Sequence, residues 1–385
     1  MHLFVNSLAA SAGGGLTYIH NVLPRMAATP GLRVTVALTP ALKQQFLNLK
    51  GVEFLELEIP VARRFWYEQS TLPEMIRRCG ADVLLSTGNF ALRKSPVPQI
   101  LLSRNSIYTS ADFYRDLLNR YEYRAWLDTR LRGLFARKSI RWATVTVAPS
   151  EAFAAELRRW TATDVMAIHH GFDRDAFFRD SLPLTPAIEG KLRSVDESLT
   201  MLFVSHYNYY RNFETLIRAL PLLRERFVPR SIKLLLTCQL SRGKNPGAYN
   251  PEAAAKLINE LGVSDMVIEL GSVPYRQLHH VYSRANVYVT PAYTETFAHP
   301  LVEAMASGVP VVASDLAVHR EICGGAARYF PTFSPEKLAE EVGKIFSSSQ
   351  VANDAAEAGR RRSQDFSWRV HVENILVLSR RLIGA

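Results

Sequence analysis

Residues 290–314, TPAYTETFAHPLVEAMASGVPVVAS, decide the fold. An alternating apolar run (Ala285, Val287, Val289) leads into them with the period of a buried strand. A polar loop follows, then a helix opened by Pro300, a stop at Gly308, and a second strand over 309–313. Proline suits a helix start, where its missing N–H has no partner to lose, and glycine suits the position past the last turn. Strand, loop, helix, strand is a βαβ unit, and α/β proteins bind ligands in the loop at the strand's carboxyl end. Two carboxylates belong to it: Glu295 in the loop and Glu303 in the first helical turn. The helix start offers amides at about His299, Leu301 and Val302 and the positive end of its dipole. A phosphate suits such a place, and two acids beside it call for a neutral polar partner such as sugar hydroxyls. The plainer reading is that Glu303 complements the dipole and Glu295 is solvated; spacing alone does not choose.

Bulk properties narrow the class. At 385 residues, 48% of them hydrophobic and 21% charged, the chain suits a globular protein of two domains. No apolar run approaches the ~20 residues that span a bilayer. The start, MHLFVNSLAASAGGG, lacks the basic residues and long apolar core of a signal peptide, so it reads as a first buried strand. Three scattered cysteines (Cys79, Cys238, Cys323) lack metal spacing and suit a reducing, cytoplasmic compartment. The net charge of +10 fits nucleotide-sugar diphosphates and anionic lipid surfaces as partners. Nucleic acid is not expected, because no recognition motif accompanies the dispersed bases.

Within the opening stretch, P-x3-E-x-F-x2-P-x2-E-A-M-A-x-G-x-P-V-V-A-S closely resembles the nucleotide-sugar site of the retaining family-4 glycosyltransferases of GT-B fold. The resemblance implies an α/β protein of two Rossmann-like domains facing a cleft, with acceptor in the first and nucleotide sugar in the second. It also implies hydroxyl-holding roles for Glu295 (donor sugar) and Glu303 (ribose), with Phe297, Ala298, His299 and Leu301 around the diphosphate.

The remaining sequence fills in this plan. Strand-like runs at 2–6, Val34–Leu38, Val83–Ser86, Gln99–Leu102 and Thr144–Ala148 alternate with helical stretches, predicting a parallel sheet covered on both faces. Gly13, Gly14 and Gly15 after the first strand permit a tight turn into a helix; as a phosphate loop they are a weak match, and the resemblance places Gly14 and Gly15 facing the cleft. Arg104 and Asn105 follow the Gln99–Leu102 strand where many family members carry a histidine. Arg104 there suits either an anionic acceptor or a structural ion pair. Residues 106–142 read as a basic, aromatic amphipathic segment, suited to a membrane surface or to ordinary packing on the sheet. Ser150 is an expected helix cap. Asp173 and Asp175 form a D-x-D, but the segment matches the family's G-x-D-x-x-x-F linker, so no metal is assigned. Residues 179–198 read as linker, dividing 1–178 plus 366–385 from 199–365.

The second domain opens with strand 200–204, a polar loop and a helix from about Asn212. The family places an arginine and a lysine in this loop on the donor diphosphate. Here Ser205, His206 and Tyr207 depart from that pattern, while Arg211-Asn212 match its Lys-Asn. Arg211 keeps the cation and can grip phosphate bidentately; His206 changes charge near neutrality. Strands are expected at Lys233–Thr237 and Val267–Leu270, and the segment 271–275 resembles the family loop that packs on the base, which implies Val273 beside it. The reading is a retaining hexosyltransferase, with Glu295, Arg211 and His206 as catalytic residues. Its donor is a nucleoside-diphosphate sugar, its acceptor a glycan, a lipid-linked glycan or a small molecule, and no cofactor is expected. The alternatives are an epimerase of the same fold and a non-catalytic nucleotide-sugar-binding protein.

Overall fold

A computed structural model describes residues 1–10, 13–179, 182–245, 247 and 249–384. The chain forms two compact units. The first comprises Met1–Ser110, Arg120–Gly171 and Ser367–Ala385; the second comprises Ala111–Asn119 and Phe172–Phe366.

The first unit holds β1 (His2–Asn6), β2 (Arg33–Leu38), β3 (Glu53–Glu56), β4 (Val83–Ser86), β5 (Gln99–Leu102), β6 (Val145–Ala148) and β7 (Met166–Ala167). They pair in parallel in the order β3-β2-β1-β4-β5-β6-β7. Parallel strands need crossover helices, so both faces of the sheet are covered and the central strands β1, β4 and β5 are buried along their length. Alternate residues divide between the two faces. Leu3 and Val5 join one core with Tyr18, Ile19 and Val22 of the helix Gly13–Ala27, and Phe4 joins the other with Leu72 and Ile76. The final helix, Trp368–Ile383, packs into the first of these cores through Trp368, Val372 and Ile375. That return was expected.

The second unit repeats the plan with β8 (Leu199–Phe203), β9 (Ile232–Leu236), β10 (Val267–Glu269), β11 (Val287–Thr290), β12 (Val311–Ser314) and β13 (Ala327–Phe330). Their order is β10-β9-β8-β11-β12-β13, again with every pair parallel. Strands β3, β7 and β13 were not anticipated in the sequence.

Three expectations about organisation change. The unit boundary falls at Gly171/Phe172, not after residue 178. Residues 179–198 are no linker: Thr185 caps a helix, Pro186–Arg193, whose Ile188 and Leu192 are buried in the second unit. Asp180 and Ser181 of that stretch lie outside the described residues. Residues 106–142 are not one amphipathic segment. They divide into a turn at Ser106–Tyr108, a helix Ala111–Asn119 belonging to the second unit, and a helix Tyr123–Trp142 belonging to the first. Tyr121, with φ of 60°, breaks the run.

Where the chain leaves the first unit, Gly171 lies against the backbone at which the chain re-enters it. A Cβ on Gly171 would sit 1.9 Å from the Trp368 backbone nitrogen. Backbone cannot rotate aside as a side chain can, so Gly171→Ala should destabilise the first unit by at least about 2 kcal/mol. Thermal unfolding within a degree of wild type would show that this approach is not tight.

Candidate functional site

In an open parallel sheet the crevice forms where neighbouring strands send their crossovers in opposite directions. In the second unit this point lies between β8, whose chain continues to β9, and β11, whose chain continues to β12. The loops leaving β8 and β11 carry Arg211 and Glu295, and the two side chains meet there in an ion pair. Both are largely desolvated, with side-chain exposures of 20% and 11%. Burial alone would push the Glu295 carboxyl up; the Arg211 charge and the Thr296 N–H, donating at 3.0 Å, outweigh it and hold the carboxyl below its usual range. Burial alone would lower Arg211; the carboxylate beside it raises it instead. The Arg211 guanidinium lies 5.2 Å from the Tyr210 ring centre, and its Nε–H is buried without a partner among the described residues.

The two loops are tied together by backbone as well. The Asn212 amide donates to the Pro291 carbonyl at 3.0 Å, and the Tyr293 N–H donates to the Tyr210 carbonyl at 3.1 Å. Asn212 is buried in a left-handed conformation (φ 55°) and its Oδ1 accepts from Thr215, so its side chain holds the loop rather than facing a ligand. The Ser205 hydroxyl donates to the His206 carbonyl. Desolvation and then the Arg211 charge lower the pKa of His206, so its ring is neutral at pH 7 and Arg211 supplies the positive charge.

Glu303 departs from its expected setting. The helix runs His299–Ala306, which puts Glu303 past the first turn, and its side chain is buried. Burial pushes the carboxyl up to about 7, moderated by the Tyr282 hydroxyl donating at 3.0 Å. The surrounding amides are also less available than expected, because the Leu301 N–H donates to the Ala298 carbonyl at 3.0 Å. Phe297 is core, tilted against the His299 ring and edge-to-face with Phe366, and Leu301 is fully buried. Ala298 takes a left-handed turn (φ 63°) into the helix, and Val273 is half-buried. Pro300 and Gly308 stand near the helix ends as anticipated, Gly308 with φ of 71°.

The sequence reading missed His319. This ring is fully buried just beyond β12, its Nδ1 2.8 Å from the Ser314 carbonyl. Burial lowers its pKa, so Nδ1 carries the proton to that carbonyl and Nε2 is a buried acceptor without a partner among the described residues. The only available signal was a histidine five residues past Ser314, in the helix Ala317–Cys323 that follows the strand beside β11.

The first unit presents a second cation at its own switch point, between β1 and β4. Arg104 donates to the Gly14 carbonyl at 2.9 Å and to the Thr87 carbonyl at 2.6 Å. No structural ion pair of Arg104 is seen among the described residues; its partners there are two carbonyls and the Tyr18 ring at 5.1 Å. Gly15 sits beneath it, where a Cβ would lie 3.6 Å from the guanidinium, and the adjoining Ser11 and Ala12 are outside the described residues. Asn105 caps the Ser106–Tyr108 turn through the Ile107 N–H, so it is structural. Asp173 caps a short helix through the Ala176 N–H at 2.9 Å. Among the described residues no three of His, Cys, Asp and Glu cluster as metal ligands. A cavity of about 440 Å³ lined by Asn286, Gly308, Pro310 and Arg360 lies at the opposite, amino-terminal end of β11 and β12, away from these groups.

Two family models match the chain: glycosyl transferases group 1 over residues 185–362 and glycosyltransferase family 4 over residues 12–176. The chain belongs to the family-4 glycosyltransferases. Curated relatives of this GT-B protein include a D-inositol 3-phosphate glycosyltransferase of Corynebacterium aurimucosum, 26% identical over 53% of the chain and 48% of the relative. An MMP alpha-(1->4)-mannosyltransferase of Mycolicibacterium hassiacum is 35% identical over 29% of the chain and 28% of its own length. The chain spans about half the length, or less, of these curated relatives. Among solved structures, sucrose-phosphate synthase from Thermosynechococcus elongatus shares the fold at TM-score 0.77 and 19% identity, covering 100% of this chain and 99% of that one. Anabaena HepE with UDP-glucose does so at TM-score 0.72 and 16% identity, covering 98% and 99%.

The Glu303 carboxyl gives this family-4 protein a testable pH dependence. Folded, it titrates near 7 against an ordinary 4.5. Between those values the folded chain keeps a proton that the unfolded chain has released, so its contribution to stability falls as pH rises and is least above pH 7. Glu303→Gln keeps an acceptor for Tyr282 and removes the ionisation. It should therefore raise stability at pH 8 by at most about 3 kcal/mol, while the two melting curves converge near pH 4.5. Glu68, also pushed up to about 7 by burial, is common to both proteins and cancels in the difference. A gap in melting temperature that stays constant from pH 4.5 to 8 would refute the assignment.

Proposed function

We propose that the chain is a retaining hexosyltransferase that moves a sugar from a nucleoside diphosphate to a glycan, lipid-linked or small-molecule acceptor in surface polysaccharide or glycoconjugate synthesis. The observation that carries this is the buried Arg211 at the switch point of the second unit, with an unpartnered Nε–H and Glu295 paired beside it. A buried donor without a partner costs about 1–3 kcal/mol, which a phosphate oxygen would recover. Family membership supports the reading, as does the fold shared with a protein solved with UDP-glucose.

The chemistry follows from charge. Breaking the bond between the anomeric carbon and the diphosphate leaves negative charge on the diphosphate and an oxocarbenium-like sugar. Arg211 is already oriented by Glu295, so it would stabilise the leaving group without reorganisation. Glu295, held ionised, would accept hydrogen bonds from hydroxyls of the donor sugar. Glu303 would accept from the ribose hydroxyls, with the Tyr282 hydroxyl fixing its carboxyl. Neutral His206 would act as a hydrogen-bonding group beside the diphosphate rather than as a second charge. Arg104 and the glycine loop of the first unit would serve the acceptor. Neither a cofactor nor an obligatory metal is assigned, because protein cations can balance the diphosphate. The site would sit in the cytoplasm, where nucleotide sugars are made, and a lipid-linked acceptor would bring it to the inner face of a membrane.

The test incubates the purified chain with radiolabelled UDP-, GDP-, ADP- and dTDP-hexoses, with and without lipid-linked and soluble acceptors. Label transferred to an acceptor supports the proposal. Epimer formed without acceptor, or binding with no turnover, would replace it. Arg211→Ala should lower turnover by on the order of 10²-fold, whereas Arg211→Lys, which keeps the charge, should retain more. Equal turnover in all three proteins would move the diphosphate away from Arg211.

A further inference from the structure

The first unit carries an exposed apolar surface that the donor chemistry does not use. On the helix Tyr123–Trp142 the buried positions Thr129, Gly133, Ala136 and Ile140 form the face packed against the protein. The opposite face is apolar as well. Tyr123, Leu127, Leu131 and Leu134 follow the i, i+4, i+3 spacing of a single stripe, and Leu127 and Leu134 are 54% and 57% exposed. A surface helix ordinarily turns charges outward and apolar residues inward; this one turns small residues inward and leucines outward.

The stripe continues onto a second helix. Phe135 packs against Phe65 of the helix Val61–Ser70 with ring centres 5.3 Å apart, and Phe65 packs against Trp66 at 5.6 Å. Trp66 is 69% exposed and Val61 78%. An exposed tryptophan beside a leucine stripe is a patch that marks an interaction site.

Charge identifies the occupant. Together the two helices carry eight bases (Arg63, Arg64, Arg124, Arg130, Arg132, Arg137, Lys138, Arg141) against two acids, Glu68 and Asp128. Glu68 is buried, and Asp128 is paired with Arg132 at 2.8 Å. Along the stripe, Arg124 and Arg130 flank Leu127, and Lys138 stands one turn beyond Leu134. All three are exposed. A second copy of this surface would meet it with the same sign of charge. An acidic lipid surface offers both an apolar layer for the leucines and Trp66 and anionic headgroups for the bases.

We propose that the helices Val61–Ser70 and Tyr123–Trp142 together form a docking surface for an anionic membrane, with Trp66 and the Leu127–Leu131–Leu134 stripe entering the interface and the flanking bases meeting the headgroups. The surface shares the helix Tyr123–Trp142 with the segment 106–142 considered in the sequence; it leaves out Ala111–Asn119, which belongs to the other unit, and adds Val61–Ser70. It does not depend on the sugar-transfer reading.

Vesicle co-sedimentation of the full chain tests it, with phosphatidylcholine alone and with about 30% phosphatidylglycerol. The chain should sediment with the acidic vesicles at low salt, at least about tenfold more than with the neutral ones, and less as salt rises to about 1 M, where charges are screened beyond ~3 Å. Leu131→Glu with Trp66→Glu, and separately Arg124→Glu with Lys138→Glu, should each lower binding by at least about tenfold. Because all four side chains are solvent-exposed, melting temperature and nucleoside-diphosphate binding should stay as in wild type. Absence of binding to acidic vesicles at low salt overturns the proposal. So does undiminished binding by the folded Leu131→Glu/Trp66→Glu protein, or a dimer that this variant abolishes in a chain that ignores vesicles.

Discussion

The desolvated ion pair between Arg211 and Glu295 is the interaction on which the second unit's site depends. Neither charge could stay buried alone, since removing one partner of such a pair costs about 3–5 kcal/mol. They meet because β8 and β11 are neighbours whose chains depart in opposite directions, bringing a loop from residue 204 onward against one from residue 291 onward. The bonds from Asn212 to Pro291 and from Tyr293 to Tyr210 fix the two loops before any ligand is present. Arg211 is therefore oriented by the protein, and the energy of binding is not spent on gathering it.

The first unit answers the same topological question with a different balance of charge. Arg104 also spans a switch point, bonding a carbonyl after β1 and another after β4. Carbonyl oxygens satisfy hydrogen bonds without cancelling charge, so Arg104 remains a net cation, whereas the charge of Arg211 is matched by Glu295. Burial lowers Arg104 only to about 10, well above neutrality. The two cations differ accordingly: one keeps an uncompensated positive field, and the other is a directed donor whose charge is matched by Glu295.

Much of this plan was readable in the residues, for identifiable reasons. Buried parallel strands are apolar along their whole length, which made β1, β4, β5, β8 and β11 visible as runs. β3 (EFLE) and β7 (MA) are short edge strands with little apolar signal, so they were not. The helix Pro186–Arg193 had a legible start, Thr185 before Pro186, with Ile188 and Leu192 one turn apart, but its mixed charge suggested a linker. Glu295 was legible through its long motif, and Arg211 through the match of Arg211-Asn212 to the family's Lys-Asn. The setting of Glu303 was not, because burial of a carboxylate depends on what covers its helix. On the side that Glu303 faces, the helix Leu278–Tyr282 supplies the fully buried Tyr282, whose hydroxyl donates to the Glu303 carboxyl at 3.0 Å. The stretch LVEAMA is apolar on every side except Glu303, a pattern that itself belongs to a helix covered all round.

Glu303 and His206 are shifted in opposite directions in the second unit, one raised and the other lowered, and a nucleoside diphosphate would act on them oppositely. A dianion beside His206 would favour its protonated form, undoing the effects of desolvation and of Arg211. Hydroxyls donating to Glu303 would favour its ionised form, undoing the effect of burial. One group gains a proton while the other loses one, so the net proton count on binding near pH 7 is a small difference between two larger changes. A flat dependence of affinity on pH would therefore not show that these groups stand apart from the ligand; their contributions separate when each is neutralised in turn.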